Sequence, residues 1–404
     1  MTGRLLAAML AVVFMTGCIQ EYDECPDNSR GPLIKKGMTL NFTLLTRYVD
    51  KTSGTRGVIA PPNPQDGTAA ENFLDIPNMT FLLFKEDKSL LAAFTPEVTP
   101  QNATYTTYDV TYTVPETLFD YITGDMINVY IMAIGNAINH GVTDMAFLPL
   151  EKMFENAATF PYPLTGSSQV ADGSQWIPDF DENRGIPMSG MQYFSIPRDA
   201  LERSSYENPL NLSEDLAVKN DLNMLRCVAK IEVIDMFDGT DGNGISTPVS
   251  QVRLQGYNGK GGILPTLSQW NFQTPWETQY VTAPSVPAGT TFNNSNAIVF
   301  FKDDAAQALR DDNRPVYSAY LPEFDSDAPG VTVPKVTVSL NIGNGETSER
   351  SFELREYNNG APGAPTDLLR NNIYRYEVRV NTSLELVVTV CPRATFTTDV
   401  PTFE

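Results

Sequence analysis

Apolar residues recur along this chain at every second position in short runs, and clusters of Gly, Pro, Asn, Asp and Ser separate the runs. A period of two predicts half-buried strands rather than helices. The first run, residues 38–49 (MTLNFTLLTRYV), puts Leu40, Phe42 and Leu44 on one face. After a Gly- and Pro-rich loop over 52–67, residues 79–84, 105–114 and 126–134 read as further strands. Residues 157–187 are polar and irregular, and residues 191–222, with their Asn, Ser and Glu, read as the connection between two domains. Residues 225–233 (LRCVAKIEV) form one predicted strand with Cys227, Ala229, Ile231 and Val233 on a single face. Further strands are predicted at 249–257, 297–301, 316–321, 335–342, 350–356, 374–380 and 384–391. Asn344-Gly345, between two of these, is the strongest hairpin signal in the chain, because both residues tolerate the positive φ of a tight two-residue turn. Helical periodicity is confined to a turn or two at 116–121 and 303–309. No strand alternates with a long helix, so the expected fold is all-β, two tandem antiparallel β-sandwiches over residues 38–222 and 223–404.

The first 18 residues follow a different pattern. Arg4 precedes an apolar run over 5–15, which fits the n- and h-regions of a secretory signal. The run is shorter than the roughly 20 residues a membrane span needs. Met15-Thr16-Gly17-Cys18 then sets small residues ahead of a cysteine. This predicts a signal peptide over 1–17, cleavage before Cys18, lipidation of its thiol, and a lipidated linker over 18–37. Several acyl chains, each contributing about 0.8 kcal/mol per buried methylene, anchor a protein firmly.

The charge balance, 28 − 49 = −21, repels phosphate backbones and argues against a nucleic-acid partner. Catalytic chemistry finds little support. One histidine, His140, stands in an Asn-His-Gly turn-like context, so a multi-histidine zinc site is excluded. Nucleophile elbows, phosphate loops and dinucleotide fingerprints are missing from the sequence. No catalytic residue, metal or cofactor is therefore expected. With Cys18 lipidated, Cys25, Cys227 and Cys391 remain. Cys227 reads as a buried free thiol; Cys25 and Cys391, each beside a proline, are the better-placed disulfide partners. Asp235, Asp238, Asp241 and Asn243 form an oxygen-rich stretch whose spacing departs from a calcium-binding EF-hand and suits a long turn.

Several segments together resemble the fimbrillin family of Bacteroidales, the subunits of type V pili. They are residues 126–136 (MINVYIMAIGN), Ile186-Pro187-Met188-Ser189-Gly190, residues 225–233, Gly256-Tyr257-Asn258 with Gly261 and Leu264-Pro265, Tyr320-Leu321-Pro322-Glu323, and Arg370-Asn371-Asn372-Ile373-Tyr374. The resemblance implies two transthyretin-like sandwiches and partners that are other pilus subunits, joined by strand exchange. It also implies a cut after an arginine near the N-terminus that removes the first strand. Arg47, behind the alternating Leu40, Phe42 and Leu44 of the first strand-like run, and Arg56, in Ser53-Gly54-Thr55-Arg56-Gly57, are the candidates. The acidic residues after Cys18 are similar to surface-export signals of Bacteroidetes lipoproteins, which implies the outer face of the outer membrane and contact with host or bacterial surface ligands. The start from Cys18 to Cys25-Pro26 is similar to that of anchor subunits, so stalk, tip and anchor all stay open. The competing function is a glycan-binding surface lipoprotein, with Trp176, Trp270 and Trp276 as its stacking residues.

Overall fold

A computed structural model of the chain describes residues 37–46, 67–120, 124–142, 148–155, 158–164, 177–179, 184–217, 221–236, 249–265, 283–310, 312–343, 346–358, 361–380 and 386–390. The first part of the chain supplies strands β1 (Thr39–Leu45), β2 (Thr80–Lys85), β3 (Leu90–Phe94), β4 (Glu97–Pro100), β5 (Thr107–Thr113), β6 (Met126–Gly135), β7 (Thr159–Pro161), β8 (Met188–Pro197), β9 (Leu210–Asn211), β10 (Leu222–Asn223) and β11 (Leu225–Arg226). The second part supplies β12 (Ala229–Asp235), β13 (Val249–Asn258), β14 (Lys260–Gly262), β15 (Phe292–Val299), β16 (Phe301–Lys302), β17 (Val316–Leu321), β18 (Lys335–Gly343), β19 (Glu346–Glu353), β20 (Arg355–Asn358), β21 (Ala361–Pro365), β22 (Ile373–Val380) and β23 (Leu386–Val390). The helices are short: α1 (Ala69–Asn72), α2 (Leu150–Glu155), α3 (Arg198–Arg203) and α4 (Asp304–Ala308). Among the described residues, no helix is long and apolar enough to cross a membrane.

The fold is all-β. One sheet runs β10–β1–β5–β4, with β9 also on β1, and a second runs β11–β8–β6–β2–β3. They face each other across an apolar layer in which Phe42 of β1 meets Phe194 of β8, and Phe94 of β3 meets Tyr112 of β5 with ring centroids 4.4 Å apart. A third sheet, β16–β17–β12–β22–β23, faces a fourth, β15–β13–β18–β19. Tyr376 of β22 packs on Phe352 of β19 there, and Tyr317 of β17 donates its hydroxyl to the Val249 carbonyl of β13. One apolar cluster runs from Met38 to Val378 through both pairs of sheets.

The structure departs from the sequence expectations in three places. Residues 225–233 are not one strand. Leu225–Arg226 pairs with β8, and Ala229–Asp235 pairs with β17 and β22, so the chain changes sheet over Cys227-Val228. The alternation continues across that step, so the pattern gives no sign of it. Residues 191–222 are not a plain connection: Met188–Pro197 is a ten-residue strand in full register with β6, and Met191, Phe194 and Ile196 in it are buried. The Asn, Ser and Glu that suggested a connection come mostly after Pro197. Pairing is also not purely antiparallel, since β1 runs parallel to β9 and β10, and β12 runs parallel to β22. Parallel neighbours need long connections, and the chain supplies them with whole intervening sheets. β18 and β19 pair as antiparallel neighbours with Gly343 opposite Glu346, and the expected turn residues Asn344 and Gly345 lie outside the described residues.

Candidate functional site

Two places in the fold draw on the sequence features above. The first is β1. Leu40, Phe42 and Leu44 alternate with Asn41 and Thr43, and the three apolar side chains are buried. Along one flank β1 makes a continuous antiparallel ladder with β5, from Thr39↔Thr113 to Leu45↔Thr107. Along the other flank the partners are piecemeal. Leu40 pairs with Leu210, Leu44 pairs with Leu222, and the Ser204 and Ser213 hydroxyls accept the Thr39 and Thr43 amides at 3.0 and 2.9 Å. The first strand among the described residues is thus an interior strand. It fills a slot whose walls are β5 on one side and short strands with serine hydroxyls on the other.

The second place is a buried polar junction where the sheets of the two parts meet. It begins at α1. Thr68 caps the helix, its backbone amide donates to Glu71 Oε2 at 2.5 Å, and the Glu71 amide returns a bond to the Thr68 hydroxyl. This capping box turns the other Glu71 oxygen toward β12 and β17. Lys230 Nζ lies 3.0 Å from Glu71 Oε1, 2.9 Å from Glu232 Oε1 and 2.9 Å from Asp303 Oδ2. The Tyr320 hydroxyl donates to Glu71 Oε1 at 2.7 Å. Arg226 donates to the Glu71 carbonyl at 3.2 Å, to Asn371 Oδ1 at 3.0 Å and to Asn72 Oδ1. Arg375 closes the set on Glu232 at 2.7 Å. Three carboxylates thus gather with three cations, all of them buried except Arg375, whose side chain is 20% exposed.

Electrostatics follow from this closure. Burial by itself raises the Glu71 carboxyl, but Lys230 and Arg226 overcome it and hold the group at about 2. Burial likewise opposes the charge on Lys230, yet Glu232 and Glu71 raise its ammonium well above the ordinary lysine value. Burial raises Glu232 as well, and Lys230 with Arg375 bring it below the ordinary range. Each charge is held by its neighbours, as buried charges must be.

A neighbouring set gathers backbone. Arg370, fully buried, donates to Glu323 Oε2 at 2.8 Å and to the carbonyls of Gly262, Ile263 and Leu264. Ser189 and Cys227 also donate to the Ile263 carbonyl, at 2.7 and 3.2 Å. Asn258 donates to the Glu323 carbonyl. Asn136, at φ +60, donates to the carbonyls of Phe73 and Ile186 and accepts from the Asp75 amide. Close approach explains the glycine of Ser189-Gly190: a Cβ on Gly190 would lie 2.2 Å from the Asn223 carbonyl oxygen.

Six segments scattered over some 250 residues of sequence therefore meet in one region, and every polar side chain just named from them is bonded to another part of the chain. Cys227 is a buried free thiol, as expected, and burial pushes it up to about 12 despite nearby Arg370. His140 is fully buried with Nε2 2.8 Å from the Gly185 carbonyl, inside the fold and not on a loop surface. Glu71 and Asn72 did not stand out in the sequence, whereas Asp303 did, in the acidic pair with Asp304 at the start of the helical turn expected over 303–309. The first two had a legible signal, the Thr-x-x-Glu capping pattern of Thr68–Glu71. Asp235 is buried and accepts the Val249 amide, whereas Asp238, Asp241 and Asn243 lie outside the described residues. So do Cys18, Cys25, Arg47, Arg56, Cys391, Trp176, Trp270 and Trp276.

No protein-family model matches the chain, and no curated protein sequence matches it. Solved structures do. The C-terminally truncated tip fimbrial protein Mfa3 from Porphyromonas gingivalis is similar at 12% identity and a TM-score of 0.47, over 87% of this chain and 99% of that one. A candidate cell adhesion protein from Bacteroides uniformis is similar at 10% identity and a TM-score of 0.42, over 87% and 96%. A candidate adhesin from Bacteroides thetaiotaomicron is similar at 12% identity and a TM-score of 0.36, over 90% and 97%.

Proposed function

We propose that this chain is a surface-exposed lipoprotein of the outer membrane that serves as a fimbrial subunit or fimbrial anchor in cell adhesion. It is exported by residues 1–17, held by a lipid on Cys18, and joined to other pilus subunits by strand exchange. Residues 38–222 and 223–404 act as its two sandwich domains. The observation that carries this reading is the place of β1. A strand ahead of Arg47 and Arg56 sits in mid-sheet, bonded on both flanks, so a cut at either arginine separates it from the rest of the chain. Its loss opens a slot with unpaired main-chain groups and the pockets of Leu40, Phe42 and Leu44. Burying three such side chains is worth roughly 5–9 kcal/mol, and an empty slot of this kind strongly favours a replacement strand. Residues 394–403 (ATFTTDVPTF) of another subunit are the proposed replacement, with Phe396 and Phe403 as anchors.

The test is cleavage. Purified protein treated with an arginine-specific protease should lose residues up to Arg47 or Arg56 and form oligomers on a sizing column. Deletion of residues 394–404 should abolish them if the chain is a stalk subunit. Cut protein that stays monomeric at high concentration, with residues 394–404 digested away, would sink strand exchange. Lipid attachment is tested separately by Cys18→Ala, which should move the protein out of the detergent phase.

A further inference from the structure

We infer that residues 68–72 form a latch, which fixes the chain just downstream of the 47–66 stretch to β12 and β17 independently of β1. A helix as short as α1 has no stability of its own in water, so something outside it must hold it. Glu71 and Asn72 are both fully buried. The hydrogen-bond and ion-pair partners of residues 68–72 beyond the helix itself include Thr104, Tyr108, Arg226, Lys230 and Tyr320. None of these belongs to β1; Tyr108 lies opposite Leu44 in the β1 ladder, so the bonds that hold the latch apart from β1 are those to Arg226, Lys230 and Tyr320. The chain continues from the latch through Leu74, whose amide donates to the Tyr108 hydroxyl at 3.0 Å, and Asp75, whose amide donates to Asn136.

Two kinds of attachment therefore flank residues 47–66. On the upstream side is a sheet ladder, which can be exchanged bond for bond with another strand. On the downstream side is a set of buried charges, which a strand cannot replace and which are costly to separate. A break between them frees β1 and leaves the chain from residue 68 onward seated. Arg226 and Lys230, the latch's partners, lie on both sides of the step by which the chain changes sheet. The latch thereby keeps the two pairs of sheets in register while the slot is empty, and the slot's walls stay preformed for an incoming strand. That consequence for assembly rests on the strand-exchange reading; the latch itself does not.

The experiment is amide hydrogen exchange read by mass spectrometry on the full chain carrying a site-specific protease sequence within residues 47–66. After cutting and removal of the β1 peptide, the amides of residues 107–113 that face β1 should lose protection by more than about tenfold, while those that face β4 keep their partner. Amides of residues 67–75 should exchange within about twofold of the uncut chain. Loss of protection at 67–75 together with 107–113 would overturn the latch. Thr68→Ala, a mild change at the helix cap, should speed exchange of 67–75 by about threefold or more in the uncut chain. Unchanged exchange there would also overturn it. A cut protein that keeps residues 67–75 protected but never forms oligomers would leave the latch standing and refute strand exchange alone.

Discussion

Replacing Lys230 with methionine removes the ammonium that Glu71, Glu232 and Asp303 share. The remaining carboxylates then face each other across a buried space, so the variant should lose about 3–5 kcal/mol of stability, the usual cost of stranding a buried charge. Urea unfolding at neutral pH measures it, and a loss below about 1 kcal/mol would mean that water reaches the junction. Cys227 makes a quieter prediction. The residue is 1% exposed and its thiol is pushed up to about 12 by burial, and the reactive species is the thiolate. A maleimide should leave Cys227 unlabelled in the native protein under conditions that label it fully in denaturant. Peptide mapping distinguishes it from the other cysteines.

At the scale of an element, β1 and α1 behave differently because their attachments differ. Phe42→Ala removes a fully buried ring that packs on Phe194. It should cost about 3–5 kcal/mol and should weaken retention of the β1 peptide after cutting, with the peptide leaving at lower urea than in the wild type. In α1, Glu71 titrates at about 2 in the folded protein against 4.5 for a free glutamate. Between those values the unfolded chain takes up a proton that the folded one refuses, so this contribution is full above about 4.5 and is lost as pH falls through about 2. Glu232, also lowered, adds to the same acid slope. Glu71→Gln should therefore be less stable near neutral pH but should lose less stability on acidification, as read from urea midpoints at about pH 7 and about pH 3. Equal slopes for variant and wild type would contradict the assigned shift.

For the whole molecule the governing number is the net charge of −21. Two copies approaching each other repel, and added salt shortens the range of that repulsion to about 8 Å at physiological strength. Oligomer formation by the cut protein should accelerate as salt rises from roughly 0.02 to 0.15 M, where the Debye length more than halves. Light scattering follows it, and a rate that falls with salt would show that attraction between opposite charges drives encounter instead. The junction should be insensitive over the same range, because its charges are buried and already paired.

By itself the sequence determined the class of fold, most of the strands and the burial of Cys227, and it marked six segments that meet around the junction while passing over α1, whose Glu71 lies at its centre. Those are legible because alternation, turn chemistry and small-residue steps are properties of neighbours along the chain. Only the tertiary structure decided that residues 225–233 belong to two sheets, that β8 is a core strand, and that β1 lies between β5 and a broken edge of β9 and β10. It also decided that Glu71 meets a lysine more than 150 residues away. A strand's periodicity states which face is buried but says nothing about which strand comes beside it. A carboxylate's partner is chosen by what folding brings within 3 Å. The segments of the family resemblance were therefore readable one by one, and the reason they occur together became visible only where their side chains meet.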